Sequence, residues 1–559
     1  MRCTAILLFA ATAFAQDPKL DDYLTRLSGF GYSGVALVAK GDQVLIDKGY
    51  GLANRKTGVV LTGNSVFSIG SITKQFTAAA ILKLEMEGKL QTTDPIGKFF
   101  PTAPADKQSI TLHQLLTHTA GLRSDYAATD YEPYARDAYM QRIFDAPLLP
   151  PVFRYANAGY SMLAAIVEIA SGQPYERYLH DHLFAPAGMT MTGYLLPKWD
   201  TAKHPHGYEG ASDWGTIVDR SWAPDGPWWQ LRGNGGIHST AMDMFRWSRA
   251  LETNKILSKE ARVKFQTGYV NEGPMGQSKY AYGWSVSESP AGKLIEHNGG
   301  NRVFSCDFLR YVDAGVTVIV FSNTADFPAP DFSHPLARVA LGLDYAQPPK
   351  TISLPGATLA RYAGTYALPS GGRISITTTV SGIELATTDQ EAWGLLQSSG
   401  QPLPADVVKR LNAATAATIS AAAKGDFTLM KAALGPNPPP GFEQRQTQLW
   451  LRHESENGKL VAVRTLGTAP DGPGVATTAE LTFEHAKMYM RYLWSPESTL
   501  MGMQLTDSLP PARYSPESPS TFVSFTFPGP RITRLNFALS PVAIPTALTL
   551  GPIAATRTP

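Results

Sequence analysis

The chain has 559 residues, of which 43% are hydrophobic, enough for a large core and about two to four domains. Its 49 Lys and Arg residues nearly balance its 47 Asp and Glu residues, and it contains no basic run. This balance argues against nucleic acid as a partner.

The first fifteen residues have the pattern of a secretory signal peptide. A basic Arg2 precedes the apolar run 5–11, and the stretch Ala13-Phe14-Ala15 ends it with small residues. We therefore expect residues 1–15 to be removed after Ala15, leaving a secreted or periplasmic protein. Elsewhere no apolar stretch has the length of a membrane span, so no spanning segment is expected.

Residues 16–346 mix strand-like and helical patterns. Gly34–Ala39 and Val44–Asp47 predict a hairpin, and Lys293–His297 and Val316–Phe321 predict further strands near the other end. Helical patterns lie between them. Strands that flank a helical middle predict an α/β (α+β) domain, in which one antiparallel sheet is assembled from both ends and packs against a helical subdomain.

The stretch Ser71-Ile72-Thr73-Lys74 opens an apolar segment that is predicted to be helical as far as Met86. Residues three apart on a helix are neighbours, so the Lys74 amine would lie beside the Ser71 hydroxyl. At a helix N-terminus the Ser71 backbone N–H lacks an intrahelical acceptor and could donate to a developing oxyanion. Taken alone, the same residues could be a capping serine and a solvated lysine.

Two later stretches carry groups that would complete an acyl-transfer site. Tyr155 and Asn157 approach an apolar helix two positions apart, so both side chains would project to one side. A neighbouring lysine ammonium favours the phenolate form of Tyr155, which could then take the Ser71 proton and return it to the leaving group. Tyr155 could equally be a packing tyrosine.

The stretch His297-Asn298-Gly299-Gly300 follows a predicted strand. A glycine pair permits a substrate to approach the strand closely, and the Gly300 N–H could be a second oxyanion donor beside that of Ser71. The same stretch could be a glycine turn that leaves the strand.

The three motifs Ser71-x-x-Lys74, Tyr155-x-Asn157 and His297-x-Gly299 resemble, in this order, those of the class C β-lactamase and penicillin-binding-protein family. That family includes D-aminopeptidases, D-alanyl-D-alanine carboxypeptidases and ester hydrolases. The resemblance covers roughly residues 20–345 and implies a serine β-lactamase/transpeptidase-like fold. Four further stretches agree with it: Leu115–Leu122, Pro186–Met189, Gly235–Ala241 and Tyr282–Trp284.

The resemblance implies a role for each motif residue and implies no cofactor or metal. Ser71 would be the nucleophile, and Lys74 and Tyr155 would form the general-base pair. Asn157 would contact the substrate amide or ester, as part of a substrate-binding set with His297 and Gly299. The amides of Ser71 and Gly300 would form the oxyanion hole.

The sequence departs from the family pattern in two places. His297 stands where true class C lactamases carry lysine, which resembles the peptidase and esterase branches and argues against efficient β-lactam hydrolysis. Val303 stands where relatives often carry glycine, which bears on the rim of the pocket. The glutamate element that deacylates class A enzymes is absent from the sequence, so deacylation is expected to use the Tyr155 pair.

Other clusters offer competing interpretations. The pairs His180/His182 and His204/His206 could bind zinc, but each could also lie on an ordinary helix flank or loop. Three tryptophans in a Pro/Gly-rich loop could wall an apolar cleft or simply pack the loop: Trp222, Trp228 and Trp229.

Beyond a turn-rich linker at 347–357, the chain becomes rich in short alternating strands. We expect a β-rich region over 358–559, with a lipocalin-like barrel formed by 358–402 and 508–545 and an α+β insertion at 403–507. Within the insertion, the run 448–451 predicts a strand.

The sequence thus predicts a secreted serine hydrolase that forms an acyl-enzyme on Ser71. Its substrates would be D-amino-acid peptides, cell-wall-type amides or esters. Two alternatives stay open at this point: acyl transfer to an alcohol or amine by the same intermediate, and a non-catalytic binding or scaffold member of the fold. The oligomeric state is not predicted.

Overall fold

The computed structural model describes residues 17–558 except 128, 273–277, 388, 398–402, 436–437, 439–441, 472–473, 496, 507–508, 510, 528–530 and 541–543. The predicted signal peptide, residues 1–15, lies outside the described residues. The chain divides between Gln347 and Pro348 into two compact units. Within the described part of the chain, no helix combines the length and the apolar character needed to cross a membrane.

The described residues of the first unit form fourteen strands: β1 (Gly34–Lys40), β2 (Gln43–Tyr50), β3 (Leu52–Asn54), β4 (Val59–Val60), β5 (Phe67–Ser68), β6 (Gly207–Glu209), β7 (Ser212–Gly215), β8 (His238–Ser239), β9 (Val270–Asn271), β10 (Ser278–Tyr280), β11 (Ser285–Ser289), β12 (Gly292–Gly300), β13 (Ser305–Tyr311) and β14 (Val316–Ser322). Its helices are α1 (Pro18–Ser28), α2 (Thr73–Met86), α3 (Leu112–Leu116), α4 (Arg136–Asp145), α5 (Asn157–Ser171), α6 (Tyr175–Leu179), α7 (Ala185–Ala187), α8 (Ala241–Ala250), α9 (Lys259–Phe265) and α10 (Pro330–Leu341). A π-helical turn, His180–Phe184, joins α6 to α7, and short 3₁₀ turns occur at Gly70–Ile72, Ile96–Lys98, Thr201–Lys203 and Ile217–Asp219.

Eight of these strands form one sheet in the order β2-β1-β14-β13-β12-β11-β10-β9. The first strand pairs with the last, antiparallel, from Gly34 opposite Ser322 to Lys40 opposite Val316. All of β14 is buried, which explains its continuous apolar sequence. The structure therefore confirms the predicted antiparallel sheet assembled from both ends of the domain.

Helix α2 lies at the centre of the helical layer and contacts α5, α6 and α9. Only Lys83, Glu85 and Met86 of its fourteen residues are not buried, as expected of a helix that is apolar on nearly every side. Phe76 meets the rings of Phe184 and Trp247 edge-on, each at 4.9 Å between centroids. A helix enclosed in this way holds the side chains of its first turn in fixed positions.

The second unit contains a barrel and an insertion. Its helices are α11 (Gly356–Leu359), α12 (Gln390–Gln397), α13 (Ala405–Ala422), α14 (Thr428–Leu434) and α15 (Phe442–Asn457). Its strands are β15 (Gly364–Ala367), β16 (Arg373–Thr378), β17 (Ile383–Thr387), β18 (Leu460–Asp471), β19 (Gly474–Phe483), β20 (Lys487–Trp494), β21 (Leu500–Thr506), β22 (Ala512–Pro516), β23 (Thr521–Thr526), β24 (Arg531–Leu539), β25 (Pro545–Leu550) and β26 (Ile553–Arg557).

Strands β15–β17 and β22–β26 close into an eight-stranded barrel, and β18–β21 form a separate four-stranded sheet. Each has its own apolar core. We expected the barrel to end at residue 545, but β25 begins at Pro545 and β26 follows it, so the barrel continues to Arg557. The strand predicted at 448–451 is wrong, because these residues belong to α15. Trp450 is buried there but Leu451 is 60% exposed, so neighbouring side chains of this helical turn point in different directions.

Two buried histidines lie beside the strand that leads to Ser71. His204 Nε2 and His238 Nδ1 are 3.2 Å apart, and His238 lies in β8, which pairs with β5. Burial lowers the pKa of His204 to about 4 and that of His238 well below its usual value. Both rings are therefore neutral in the folded protein near neutral pH.

The burial of these histidines predicts that acid lowers the stability of the first unit. As the pH falls below about 6.5, His204 becomes protonated in the unfolded chain but stays neutral in the folded protein. The free energy of unfolding therefore decreases until about pH 4. His204→Gln should remove about 2 kcal/mol of the loss between about pH 6.5 and about pH 5. Urea denaturation at several pH values measures the free energy of unfolding.

The control is His180→Gln, at a partly exposed site, which should keep the wild-type dependence of the free energy of unfolding on pH. The same dependence in both variants and the wild type would contradict the prediction.

Candidate active site

Ser71 lies in the 3₁₀ turn Gly70–Ile72, which leads directly into α2. Gly70 has a φ of 49°, and a Cβ at this position would lie 2.2 Å from the backbone nitrogen of Gly300. Glycine is therefore required before the serine, both for the backbone conformation and for the close approach of β12. In a first turn the N–H groups lack intrahelical acceptors, so the Ser71 N–H is available to donate a hydrogen bond to a ligand.

Lys74 is fully buried and its Nζ has three polar neighbours. It lies 2.9 Å from Ser71 Oγ, 2.8 Å from Asn157 Oδ1 and 2.9 Å from the carbonyl oxygen of Asn234. The two carbonyl oxygens can only accept hydrogen bonds, whereas a hydroxyl can also donate. A neutral amine at this position would give its two N–H groups to the carbonyls and direct its lone pair at the Ser71 hydroxyl.

Lys74 is close to half-protonated near neutral pH. Burial lowers the pKa of Lys74 to about 7, although the carboxylates of Asp125 and Asp130 act in the opposite direction. An amine of this pKa is largely free to accept a proton at physiological pH, which an ordinary lysine is not.

Tyr155 completes the group predicted from the sequence. Lys74 Nζ lies 4.7 Å from the centre of its ring, and the Ser71 side chain acts to lower the pKa of its hydroxyl. Burial has the larger effect and raises the pKa of Tyr155 well above its usual value. The resting site therefore holds a phenol, in contrast to the phenolate expected from the sequence, and Lys74 is the group able to take the first proton.

Asn157 is the first residue of α5 and follows Ala156, whose backbone is extended. Its Oδ1 accepts from Lys74, and its Nδ2 donates to Asp125 Oδ1 at 2.9 Å. Since a carboxylate can only accept, Asp125 fixes the orientation of the Asn157 amide. Sequence reasoning identified Asn157 but not Asp125.

His297 lies on β12 behind Tyr155, with 6.1 Å between the ring centres. Its Nε2 is 3.1 Å from the Tyr280 hydroxyl and its Nδ1 contacts the carbonyl of Asn298. Burial, and then the charge of Lys74, lower the pKa of His297 to about 4, so the ring is neutral. The structure thus places His297 as a neutral support beside Tyr155 rather than in the wall of the cleft described below.

The glycine pair brings β12 against the serine. A Cβ at Gly299 would lie 2.0 Å from the carbonyl oxygen of Ile69 and 2.8 Å from the Ser71 backbone nitrogen. The turn around Ser71 and the end of β12 are therefore in backbone contact. This contact brings the amides of Ser71 and Gly300 into one small region, as an oxyanion hole requires.

A cleft of about 380 Å³ opens beside Ser71. Three apolar side chains, Tyr131, Ile217 and Leu231, form part of its wall, and Asp130 adds a carboxylate. The complete lining is Ser68, Gly70, Ser71, Asp130, Tyr131, Asn157, Ile217, Leu231, Asn234, Gly235, Gly236, Gly300 and Asn301.

Two further residues support the site. Asn234, whose carbonyl accepts from Lys74, sits in a run of glycines that the sequence marks only as a loop. His118 has a φ of 58°, unusual for a residue with a side chain. Its Nδ1 accepts from the Ala156 N–H at 3.1 Å, and its ring lies 4.5 Å from that of Tyr155. His118 thus fixes the segment that presents Tyr155.

The tryptophan cluster packs away from the cleft lining. Trp222 lies 5.2 Å from the His238 ring, and Trp229 lies beneath Arg232 at 4.8 Å. Trp228 donates to the hydroxyl of Ser221.

Histidines of the two pairs considered for zinc make contacts with other side chains. His180 pairs with Asp181 at 2.7 Å, and His206 pairs with Asp213 at 3.0 Å. Over the residues that the structure describes, no three His, Cys, Asp or Glu side chains converge on a point suited to a metal ion.

Comparison with known proteins agrees with this geometry. The family model described as Beta-lactamase matches residues 21–343, more than half of the chain. The chain therefore belongs to the β-lactamase family, and its first unit is a serine hydrolase of that fold.

The similar proteins include penicillin-binding proteins of Bacillus subtilis (strain 168). The putative penicillin-binding protein PbpX is 34% identical over 312 residues, which cover 55% of this chain and 74% of the relative. Penicillin-binding protein 4* is 28% identical over 401 residues, 66% of this chain and 86% of the relative. Among solved structures, the octameric penicillin-binding protein homologue from Pyrococcus abyssi shares the fold, with a TM-score of 0.54 and 20% identity over 88% of this chain and 98% of that one.

The close approach of β12 gives a prediction for Gly299→Ala. The added methyl group must displace backbone atoms of Ile69 or Ser71, so we expect activity to fall at least about 100-fold and the melting temperature to fall by several degrees. Gly159→Ala in α5 is the matched control, because its Cβ would lie 3.6 Å from Leu115, an ordinary van der Waals contact. The control should retain activity and gain about 0.5–1 kcal/mol of stability. A Gly299→Ala enzyme as active and as stable as the control would show that the contact is unimportant.

Proposed function

We propose that this protein is a secreted serine hydrolase that forms an acyl-enzyme on Ser71 and acts on D-amino-acid peptides, cell-wall-type amides or esters. The observation that carries the proposal is the environment of Lys74 Nζ, which has two carbonyl acceptors and one hydroxyl as neighbours. In this arrangement the amine can direct its lone pair at the Ser71 proton.

Acylation follows from these positions. Lys74 takes the proton of Ser71 Oγ as that oxygen bonds to the substrate carbonyl carbon, and the amides of Ser71 and Gly300 donate to the resulting oxyanion. When the bond to the leaving group breaks, the Tyr155 phenol gives that group its proton. The Lys74 ammonium then returns a proton to Tyr155, so both groups regain their resting forms.

Deacylation reverses these roles, with water in the place of the leaving group. The Tyr155 and Lys74 pair takes a proton from water as the water oxygen bonds to the acyl carbon, and Ser71 leaves with that proton restored. His118 and His297 are both neutral, since burial and the nearby Lys74 lower the pKa of each. They therefore add no positive charge that would compete with the protonation of Lys74.

Several features support the substrate class. The curated relatives with 34% and 28% identity are named penicillin-binding proteins, and the cleft combines apolar and polar walls suited to an acyl group with a side chain. His297 in the third motif supports a peptidase or esterase rather than an efficient β-lactamase. The signal-peptide pattern of residues 1–15 supports secretion.

Covalent labelling tests the nucleophile. Wild-type protein treated with a fluorophosphonate or a penicillin should gain the mass of one adduct, and Ser71→Ala should gain none, because the hydroxyl is the only proposed point of attachment. Tyr155→Phe should slow turnover of an activated ester by about 10²–10⁴-fold, the usual contribution of a proton-transfer group. Intact-mass spectrometry and ester hydrolysis provide the two measurements.

Ser28→Ala is the matched control for labelling, since this serine lies at the end of α1 and its hydroxyl donates to the Leu24 carbonyl of the same helix. It should label like the wild type. A wild-type protein that neither labels nor cleaves activated esters would favour a scaffold role, and an adduct released faster by added alcohols or amines than by water would favour acyl transfer.

The pH dependence tests Lys74 as the base. For an uncharged substrate, kcat/KM should rise with pH through a midpoint near 7, because Lys74 must lose its proton before it can accept that of Ser71. Asn157→Asp places a carboxylate beside the amine and should move the midpoint upward by about one unit or more. An activity that falls as the pH rises through this range would contradict the assignment.

A further inference from the structure

A second cavity, of about 290 Å³, lies within the second unit. Its described lining comes from the helix α12, three neighbouring strands of the four-stranded sheet (β18, β19 and β20) and the barrel strand β24. The acyl-transfer mechanism uses none of the residues that line it. The chemistry of this lining therefore needs its own explanation.

Small residues of the sheet form the floor of the cavity. Gly467 lies opposite Thr478, and Thr478 lies opposite Arg491 on the next strand. Residues that face each other across paired strands present their side chains on the same face, so the Thr478 and Arg491 side chains are neighbours. Ala469 and Ala476 form the next pair along this face. Their small side chains leave the space that the cavity occupies.

The helix α12 forms the roof of the cavity and is attached at both ends. At its start, a Cβ at Gly467 would lie 3.3 Å from the carbonyl oxygen of Gln390, so glycine permits a close approach of the helix to the sheet. The Gln390 Nε2 also contacts the carbonyl oxygen of Thr465. At its end, Arg531 Nη1 donates to the carbonyl oxygen of Gln397 at 3.1 Å. Both the sheet and the barrel thus hold the roof in place.

The polar side chains of the lining are rich in hydrogen-bond donors. Trp393 has an indole N–H that is buried and has no acceptor among the described residues. Thr478, which is 5% exposed, adds a hydroxyl, and Arg491 and Arg531 add guanidinium groups. The described lining residues include no carboxylate. A buried donor without an acceptor destabilises the folded protein, and an acceptor inside the cavity would remove this cost.

The charge of the lining favours an anion. A guanidinium stays charged at all physiological pH values, so two arginines on one small cavity repel each other and attract a negative group. Each guanidinium has five N–H groups, so bonds within the protein and a bond to a ligand can coexist. Arg531 is partly buried, whereas Arg491 is exposed, which gives a ligand access from solvent.

We propose that this cavity binds a small carboxylate. Its charged group would contact the Arg491 and Arg531 guanidinium groups and the Trp393 N–H, and its apolar part would lie against Ala469 and Ala476. A carboxylate has only acceptor atoms and can form paired hydrogen bonds with a planar guanidinium. The cavity volume is at the lower limit of ligand sites, about 300 Å³, which indicates a small ligand. The inference is independent of the proposed function, since it uses no residue of the first unit.

An NMR titration of the full chain, isotope-labelled at the indole nitrogens, tests the proposal. The chain has ten tryptophans, and the signal that disappears in Trp393→Phe belongs to Trp393. Isobutyrate, added at constant ionic strength, should shift this signal in a saturable way, because the indole N–H gains an acceptor. Isobutyramide has a similar shape without the charge and should need a concentration at least about tenfold higher.

Arginine variants test the charged part of the site. Arg531→Gln and Arg491→Gln should each weaken isobutyrate binding at least about tenfold, because each removes a charged donor. Arg452→Gln is the matched control, since Arg452 lies on α15, outside the described lining, and pairs with Glu456. The control should bind isobutyrate as tightly as the wild type does.

A milder variant and two further signals guard against misfolding. Thr478→Val keeps the size of the side chain but loses the hydroxyl, and it should weaken binding about threefold. Trp450 and Trp494 belong to the core of the insertion, so their unchanged indole signals show that a variant is folded.

Three outcomes would overturn the proposal. The first is a Trp393 signal that isobutyrate leaves in place or shifts no more than isobutyramide does, which would indicate a cavity filled by water alone. The second is wild-type affinity in folded Arg531→Gln and Arg491→Gln. The third is inorganic phosphate that binds more tightly than isobutyrate, which would overturn the choice of a carboxylate.

Discussion

The arrangement of the active site depends on the burial of one amine, that of Lys74. An ammonium ion removed from water is costly unless it is well paired, and Lys74 has no hydrogen-bonded carboxylate among its described neighbours, only two carbonyl oxygens and a hydroxyl. The cost is reduced when the group gives up its proton, which is why its pKa lies near 7. The same desolvation that disfavours the charge makes the amine a base at neutral pH.

The fold supplies what this burial needs. Helix α2 is enclosed on nearly every side, so the first turn that carries Ser71 and Lys74 cannot move toward solvent. The N-terminus of α5 supplies the Asn157 oxygen, and the glycine-rich loop at 233–236 supplies the Asn234 carbonyl. Three distant parts of the chain thus meet at one nitrogen atom, and the sheet assembled from both chain ends adds β12 against the serine.

Local patterns predicted much of this arrangement. Strands β1 and β14 and helix α2 were predicted because burial on nearly every side leaves continuous apolar runs. Helical spacing made Ser71 and Lys74 neighbours, although taken alone they could also be a capping serine and a solvated lysine. These two residues, Tyr155 and the glycines near His297 were ambiguous until the order of the motifs along the chain was compared with a known family.

The rest depends on tertiary contacts that spacing does not encode. Asp125, Asn234 and His118 act on the site through individual hydrogen bonds, and no periodic pattern marks such residues. The expected phenolate at Tyr155 assumed a hydrated ring beside a charged lysine, whereas burial acts on both groups and reverses that balance. The predicted strand at 448–451 failed because a short apolar run does not distinguish a strand from one turn of a helix.

The central claim is that Lys74 loses its proton near neutral pH, so that much of the resting enzyme holds it as a neutral amine at physiological pH. An NMR titration of protein labelled at the lysine Cε, with the Lys74 signal assigned from Lys74→Met, measures its charge directly. The account predicts a midpoint near 7, about three units below that of an ordinary lysine. A midpoint above about 9 would mean that Lys74 stays charged throughout the working range, which would contradict its assignment as the base.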